Sequence, residues 1–237
     1  MQLPVRLVGE TGSTNDDMKA LAAAGEPEGA WLRADRQSAG KGRMGRAWLG
    51  EAGNLYASTL VRLTPQDPPA HSLALVLAVA VHDALSEFTG AGVLSLKWPN
   101  DIMAGNAKLA GMLLERAGDA VVLGVGINVA SAPSLPDRRT ACLRDLGVEA
   151  ADAAHILERV AEHFAAWLAR WRTYGLEPVA RAWQERAHRP GTPLMVELPD
   201  GERISGTFEA LDPQGALILR LADGAIRVMH AGDTFLL

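Results

Sequence analysis

The stretch QSAGKGRMGRAW, Gln37 to Trp48, contains Gly40-Lys41-Gly42-Arg43-Met44-Gly45, a literal G-x-G-x-x-G. Taken as a dinucleotide fingerprint it would dictate a Rossmann fold. That fold needs a strand before the glycines, a helix opening directly after them, and an acid about 20 residues on to hold a ribose. The residues refuse it. Arg46-Ala47-Trp48-Leu49-Gly50 and then Gly53 follow, and further glycines so close together oppose a helix. No acid stands between Leu60 and Leu63. The P-loop template fails as well, because Gly42 follows Lys41 where a Ser or Thr should hold magnesium. What remains is Lys41, Arg43 and Arg46 on a backbone freed by three glycines, beside Trp48. Such a segment lets amides approach an anion while the cations add charge-assisted bonds. We expect an anion-binding loop that is mobile when empty. A solvated basic turn is the plainer alternative, and nucleic-acid contact a third.

Outward from the loop, the pattern is that of strands and helices in alternation. LPVRLVG (3–9) reads as a strand, and STNDDMKALAAAG (13–25) as a helix with Ser13 placed to cap it and Gly25 to stop it. GAWLRAD (29–35) and GNLYASTLVRL (53–63) are strands, the second ended by TPQDPP. His71 to Phe88 is an apolar helix long enough to pack across a sheet. LSLKWPND (94–101), AKLAGMLLE (107–115) and DAVVLGVGINV (119–129) read as three strands, the first two joined at Gly105-Asn106. Asp152 to Tyr174 is an amphipathic helix. Composition changes at RPGTP (189–193). Beyond it, short alternating strands joined at Asp200-Gly201, Pro213-Gln214-Gly215 and Asp223-Gly224 describe a small β-barrel that leans on the larger part.

The whole chain bounds the function classes. Its 237 residues carry a net charge of −5, so nothing global advertises nucleic acid or an anionic membrane. A single cysteine, Cys142, excludes a disulfide framework and fits a reducing compartment. No signal peptide is visible, and the longest apolar run, Leu73 to Val81, is far below the ~18 residues of a bilayer span. A cytoplasmic protein without membrane contact is expected. No Cys/His metal cluster is present in the sequence.

Several positions break their local pattern. KLAGMLLE is apolar at both parities, as in a strand buried on both faces, yet Lys108 opens it. A lysine there needs an anionic partner or must snorkel past the strand end, and the two readings are even. Gly124, Gly126 and Asn128 share a parity, clearing one face for a ligand, another backbone or a closely packed helix. Pro99 ends its strand and leaves Asn100 and Asp101 at the tip, where either working groups or ordinary turn chemistry would be found. Ser13, Thr14 and Asn15 fit a helix start and equally a polar ligand at that start.

STN, ADRQSAGKGRMGRAW, GNLYAS, LKWPND, KLAGMLLE and GVGINV, in this order and followed by the terminal barrel, resemble the biotin–protein ligases of the biotin/lipoyl protein ligase superfamily. The resemblance spans nearly the full chain. It implies an α+β class: residues 1–188 forming a mixed β-sheet with flanking helices, like the class II aminoacyl-tRNA-synthetase and biotin-ligase catalytic domain, and residues 189–237 forming an SH3-like β-barrel. Lys41 departs from the arginine of many relatives. No helix-turn-helix precedes the first strand, which resembles the short class without a DNA-binding domain.

The implied chemistry is that of a biotin–[acetyl-CoA-carboxylase] ligase. Biotin attacks the α-phosphate of ATP, with Mg2+ as activator, and a lysine of a biotin carboxyl carrier domain then attacks biotinyl-5′-AMP. By resemblance, Ser13, Thr14, Asn15 and Gln37 read the ureido end of biotin, in a site that also includes Gly111. Lys41, Gly42 and Arg43 close over the carboxylate and phosphate, with Lys108 on the same junction. Arg43, Arg46, Trp48, Asn100, Lys108 and Asn128 serve the nucleotide, Asn128 near its magnesium. Arg43 and Lys108 are the implied catalytic groups, with Asp101 positioning or deprotonating the incoming lysine. No covalent enzyme nucleophile and no resident metal site are required. The alternatives are a lipoate–protein ligase and, from another class, a nucleic-acid-binding regulator. No DNA partner is expected, and a homodimer is left open.

Overall fold

Leu, Val and Ala occupy every position from Leu73 to Val81, so no polar stripe exists there to face water, and this helix must lie inside. In the computed structural model, which describes residues 5–136, 138–149 and 152–236, it is α2 (Leu73–Thr89). The span 70–89 is apolar enough by length and composition to cross a membrane, a point the nine-residue run understated. Here it is the core helix, most of it buried.

It packs on a seven-stranded mixed sheet in the order β1-β2-β3-β7-β6-β5-β4. The strands are β1 (Val5–Thr11), β2 (Trp31–Gln37), β3 (Leu55–Arg62), β4 (Leu94–Lys97), β5 (Asp101–Ala104), β6 (Ala107–Ala117) and β7 (Ala120–Ile127). Only β1 and β2 run parallel; every other neighbour is antiparallel. Helices α3 (Ala153–Tyr174) and α4 (Glu177–Arg186) pack with α2 on one face. Helix α1 (Thr14–Ala23) lies on the other, where Met18 and Ala22 meet Leu32, Leu60, Ala120 and Val122. Alternation along β7 divides the two layers: Val121, Leu123, Val125 and Ile127 face the large core, and Ala120, Val122, Gly124 and Gly126 the α1 side.

Beyond α4, β8 (Pro193–Glu197), β9 (Arg203–Leu211), β10 (Leu217–Arg220), β11 (Ile226–Met229) and β12 (Asp233–Leu236) form a second, antiparallel sheet in the order β11-β10-β9-β8-β12. Gly201, Gly215 and Gly224 supply the positive φ of its turns. Its apolar face does not stand alone. Leu194, Val196, Phe208, Leu217 and Leu219 belong to the same core as α2, and the indole N–H of Trp98 reaches the Gly215 carbonyl.

Two expectations need correction. LSLKWPND is not one strand: β4 ends at Lys97, the chain turns through Trp98-Pro99-Asn100, and Asp101 opens β5, which the Gly105-Asn106 turn then joins to β6. Helix α4, with Pro178 in its first turn, had no counterpart in the sequence reading. The terminal unit has the five antiparallel strands expected of it, and among the described residues no ladder joins β11 to β12. Leu3 and Pro4 of the first expected strand lie outside the described residues.

Candidate active site

The basic loop folds back as a narrow hairpin. Gln37 bridges Gly50 and Lys41 bridges Ala47, with a single 3-10 turn at Arg43–Gly45 between them. The glycines have local causes. A β-carbon at Gly40 would strike the Trp48 carbonyl, one at Gly50 would strike the backbone of Gln37, and Gly45 has φ 74°. The result delivers Trp48 onto the α1 side of the sheet. There its indole lies on β6 and β7 at Gly111 and Gly126, neither of which has space for a methyl group. Gly124, two residues earlier, makes the same allowance for the Asn15 amide. The glycines of one parity thus clear room for two side chains, and a cavity of about 630 Å³ opens beside them.

Every residue singled out above lines this cavity: Ser13, Thr14, Asn15, Gln37, Lys41, Gly42, Arg43, Arg46, Trp48, Asn100, Asp101, Lys108, Gly111 and Asn128. One end is polar and dry. Ser13, Thr14 and Asn15 are buried at the start of α1; Ser13 sits at the N-cap position but makes no side-chain cap bond. Gln37 Oε1 accepts from the Thr14 amide (2.8 Å) and hydroxyl (3.1 Å). The Ser58 hydroxyl bridges Thr14 Oγ1 and Asn15 Oδ1 at 2.8 and 2.7 Å. Asn15 Nδ2 donates to Glu115 Oε2 at 2.8 Å, and Lys19 holds the other oxygen of that carboxylate. Sequence reading missed Ser58 and Glu115. Both stand at ordinary strand positions and acquire meaning only when β3 and β6 meet α1.

The other end is cationic. Lys108 Nζ lies 2.6 Å from Asp101 Oδ1 and 5.4 Å from the Trp48 ring centroid, so the lysine is paired rather than snorkelling. Burial opposes ionisation of Asp101, but attraction from Lys108 and Lys97 outweighs it and holds the carboxyl below its usual range. Burial likewise depresses Lys108, against the pull of Asp101. Arg43 donates to Asn100 Oδ1 (3.4 Å) and the Gly232 carbonyl (3.3 Å), with Asp233 at 3.7 Å; Arg46 pairs with Asp233. Asp233 belongs to the second sheet and had no sequence signal. Lys41 turns outward to Asp16.

Asn128 is buried and donates to the Ala141 carbonyl, and Asn54 accepts from the amides of Val129, Ala130 and Ser131, fixing the segment after β7. The Trp48 indole N–H has no hydrogen-bond partner although water does not reach it. The donor set does not suit a resident metal. Among the described residues no group of three or more His, Cys, Asp or Glu converges, and Asp101 and Asp233 are taken up by cations.

Residues 12–130 match the Biotin/lipoate A/B protein ligase family, and residues 195–237 the Biotin protein ligase C terminal domain. The chain is 39% identical over 242 residues to a biotin–[acetyl-CoA-carboxylase] ligase of Paracoccus denitrificans, covering 97% of this chain and 99% of that protein. It is 38% identical over 234 residues to the ligase of the same name from Mycobacterium tuberculosis, covering 96% and 86%. Among solved structures, a biotin protein ligase from Aquifex aeolicus in complex with biotin and ATP superposes with a TM-score of 0.86 at 27% identity, over 98% of each chain.

Proposed function

This chain belongs to the biotin/lipoate A/B protein ligase family, and from that premise we infer that it activates biotin with ATP and transfers it to a lysine of a biotin carboxyl carrier protein. It is a biotin–[acetyl-CoA-carboxylase] ligase in activity. In the first half-reaction a carboxylate oxygen of biotin bonds to the α-phosphorus, the bond to the bridging oxygen breaks, and pyrophosphate leaves. In the second, the carrier amine bonds to the acyl carbon, AMP leaves with the electron pair of the broken C–O bond, and the amine gives up its proton.

The observation that carries this reading is the gathering of Arg43 and Lys108 in one cavity with the buried polar groups at the start of α1, beside a Trp48 indole seated on Gly111 and Gly126. Two anions must meet there against their repulsion, and fixed cations in a site sheltered from water lower that barrier most effectively. We assign Lys108 and Arg43 to the carboxylate–phosphate junction, with Lys41 and Gly42 at its edge. Thr14, Asn15 and Gln37, with Ser13, present ordered polar groups for the ureido ring. Trp48 covers the adenylate, Arg46 and Asn100 brace the loop, and Asn128 borders the nucleotide. Asp101, ionised between two ammonium groups, is a poor base, and we give it the orienting role. Magnesium would arrive with ATP.

The cavity is completed within one chain, so we propose that one copy suffices for catalysis. We propose no DNA partner: Lys41, Arg43 and Arg46 are paired with Asp16, Asn100 and Asp233. A cytoplasmic location accords with the one buried cysteine. Pyrophosphate–ATP exchange tests the reading: biotin should support it and lipoate should not. Incubation with ATP, biotin and a carrier domain should add one biotinyl mass. Exchange with lipoate alone would sink it.

A further inference from the structure

One carboxylate here carries two ammonium groups. Lys97 Nζ lies 3.1 Å from Asp101 Oδ2 while Lys108 Nζ lies 2.6 Å from Oδ1. The three side chains are 13, 8 and 16% exposed, so the cluster is sheltered from water and holds a surplus of one positive charge. A neutral pair is the ordinary arrangement for buried ions; a surplus is unfavourable unless an anion comes to meet it. Lys97 is not there by default of packing. It also donates to the Thr234 carbonyl at 2.8 Å and stands 5.9 Å from the centroid of the Phe235 ring, so β12 of the second sheet fixes it from behind. Among the described residues, the other charged groups facing the cluster add no carboxylate to it. Arg43 faces Asp101, Arg138 acts on Lys108, and His188, near Lys97, is kept toward its neutral form by burial. Asp233 is directed to Arg43 and Arg46.

We propose that Lys97 is a positioning residue for adenylate formation: by taking one oxygen of Asp101 it leaves Lys108 incompletely neutralised, with net positive charge aimed at the junction of biotin carboxylate and α-phosphate. The inference rests on the biotin-ligase reading above. Lys97 makes and breaks no bond in the reaction. Without it, Asp101 and Lys108 close into a neutral pair, and the cluster has nothing to offer the anions.

The test is pyrophosphate exchange at saturating biotin, with kcat and the KM for ATP measured separately from pH 6 to pH 10. Lys97→Met keeps the stem and removes the charge. Lys97→Gln can still donate to Thr234, and so reads the charge even if the methionine variant fails to fold. Lys97→Arg keeps the charge. Loss of charge should lower kcat roughly 10- to 100-fold, with biotin affinity by equilibrium dialysis close to that of the parent, and arginine should restore most of the rate. The pH profile supplies a readout that a structural role would not move. A neighbouring cation helps drive the proton from Lys108, so removing it lets Lys108 stay protonated longer, and the alkaline limb should shift to higher pH. A neutral variant exchanging at the parent rate would overturn the proposal. So would a loss with the limb unmoved and no rescue by arginine. If the parent shows no biotin-dependent exchange at all, it is the proposed function that fails.

Discussion

The Trp48 indole rests on Gly126 so closely that a β-carbon at position 126 would lie 2.5 Å from its Cε2 and Nε1. The contact is between a loop and a strand and is sterically defined, so it can be broken without touching a charge. Gly126→Ala should push the indole off the sheet. Overpacking of this kind carries a penalty of about 1–3 kcal/mol, which corresponds to roughly one to two decades in an equilibrium. The KM for ATP in pyrophosphate exchange should rise by that factor while biotin binding stays near the parent value. An unchanged KM would mean that Trp48 does not cover the nucleotide.

Lys108→Ala should slow adenylate formation by about 10²- to 10³-fold, the scale on which loss of one oriented group at a developing charge is felt. Asp101 retains Lys97 as a partner in this variant, so the fold should persist by circular dichroism. Normal exchange in a folded variant would return Lys108 to a structural role.

Asp233 ties both loop arginines to the second sheet. Asp233→Asn keeps the shape and removes the charge, leaving Arg43 and Arg46 adjacent and repelling. Amides across 38–48 should exchange hydrogen faster than in the parent before any ligand is added, and biotinyl-AMP should be released sooner. A charge-assisted contact is worth roughly 1.5–3 kcal/mol, so the retention time should fall about tenfold or more. Equal exchange across the loop in the two proteins counts against the strut.

Far from the site, Asp83 of α2 joins three helices. Trp167 of α3 donates to it at 2.9 Å, and Arg186 of α4 at 2.7 Å. Burial opposes its ionisation, but His82 beside it and the bonds from Arg186 and Trp167 prevail and hold its pKa at about 2. A carboxyl depressed from 3.8 adds stability that is fully present above pH 4 and is lost as pH falls toward 2, on the order of 2 kcal/mol. Asp83→Asn should therefore be less stable than the parent by about that amount at pH 7, with the gap narrowing between pH 4 and pH 2. Denaturant unfolding at pH 7, 4 and 2.5 checks it; a gap independent of pH would rule it out.

What could be read from the residues alone follows a physical division. Features written by neighbours in sequence were legible: the start of α1 at Ser13, the turn glycines of the second sheet, and the misfit of Lys108 at the head of an apolar strand. The loop could be withdrawn from the nucleotide folds because Gly50 and Gly53 follow too closely for a helix. Features that arise only when distant segments meet were not legible. Ser58, Glu115 and Asp233 look like unremarked polar residues on strands, and Lys97 like an ordinary strand end. The bend after Lys97 was hidden because LSLK alternates like a strand, and Pro99 reads as a strand terminus rather than a corner between two strands. Helix α4 is ten residues long, too short for periodicity to announce it.

The β3–β7 ladder pairs residues 55–62 with residues 120–127 and is the seam between the two halves of the large sheet. The half before it carries α1 and the basic loop; the half after it carries Lys97, Asp101, Lys108 and the glycine floor. Neither half owns a pocket. Closing that seam brings together segments some sixty residues apart, a step whose entropy is spent before any contact repays it. Ligand-binding competence should therefore emerge late in refolding, after helical signal has returned, and a chain halted short of that closure would hold every ingredient of the chemistry with no place to perform it.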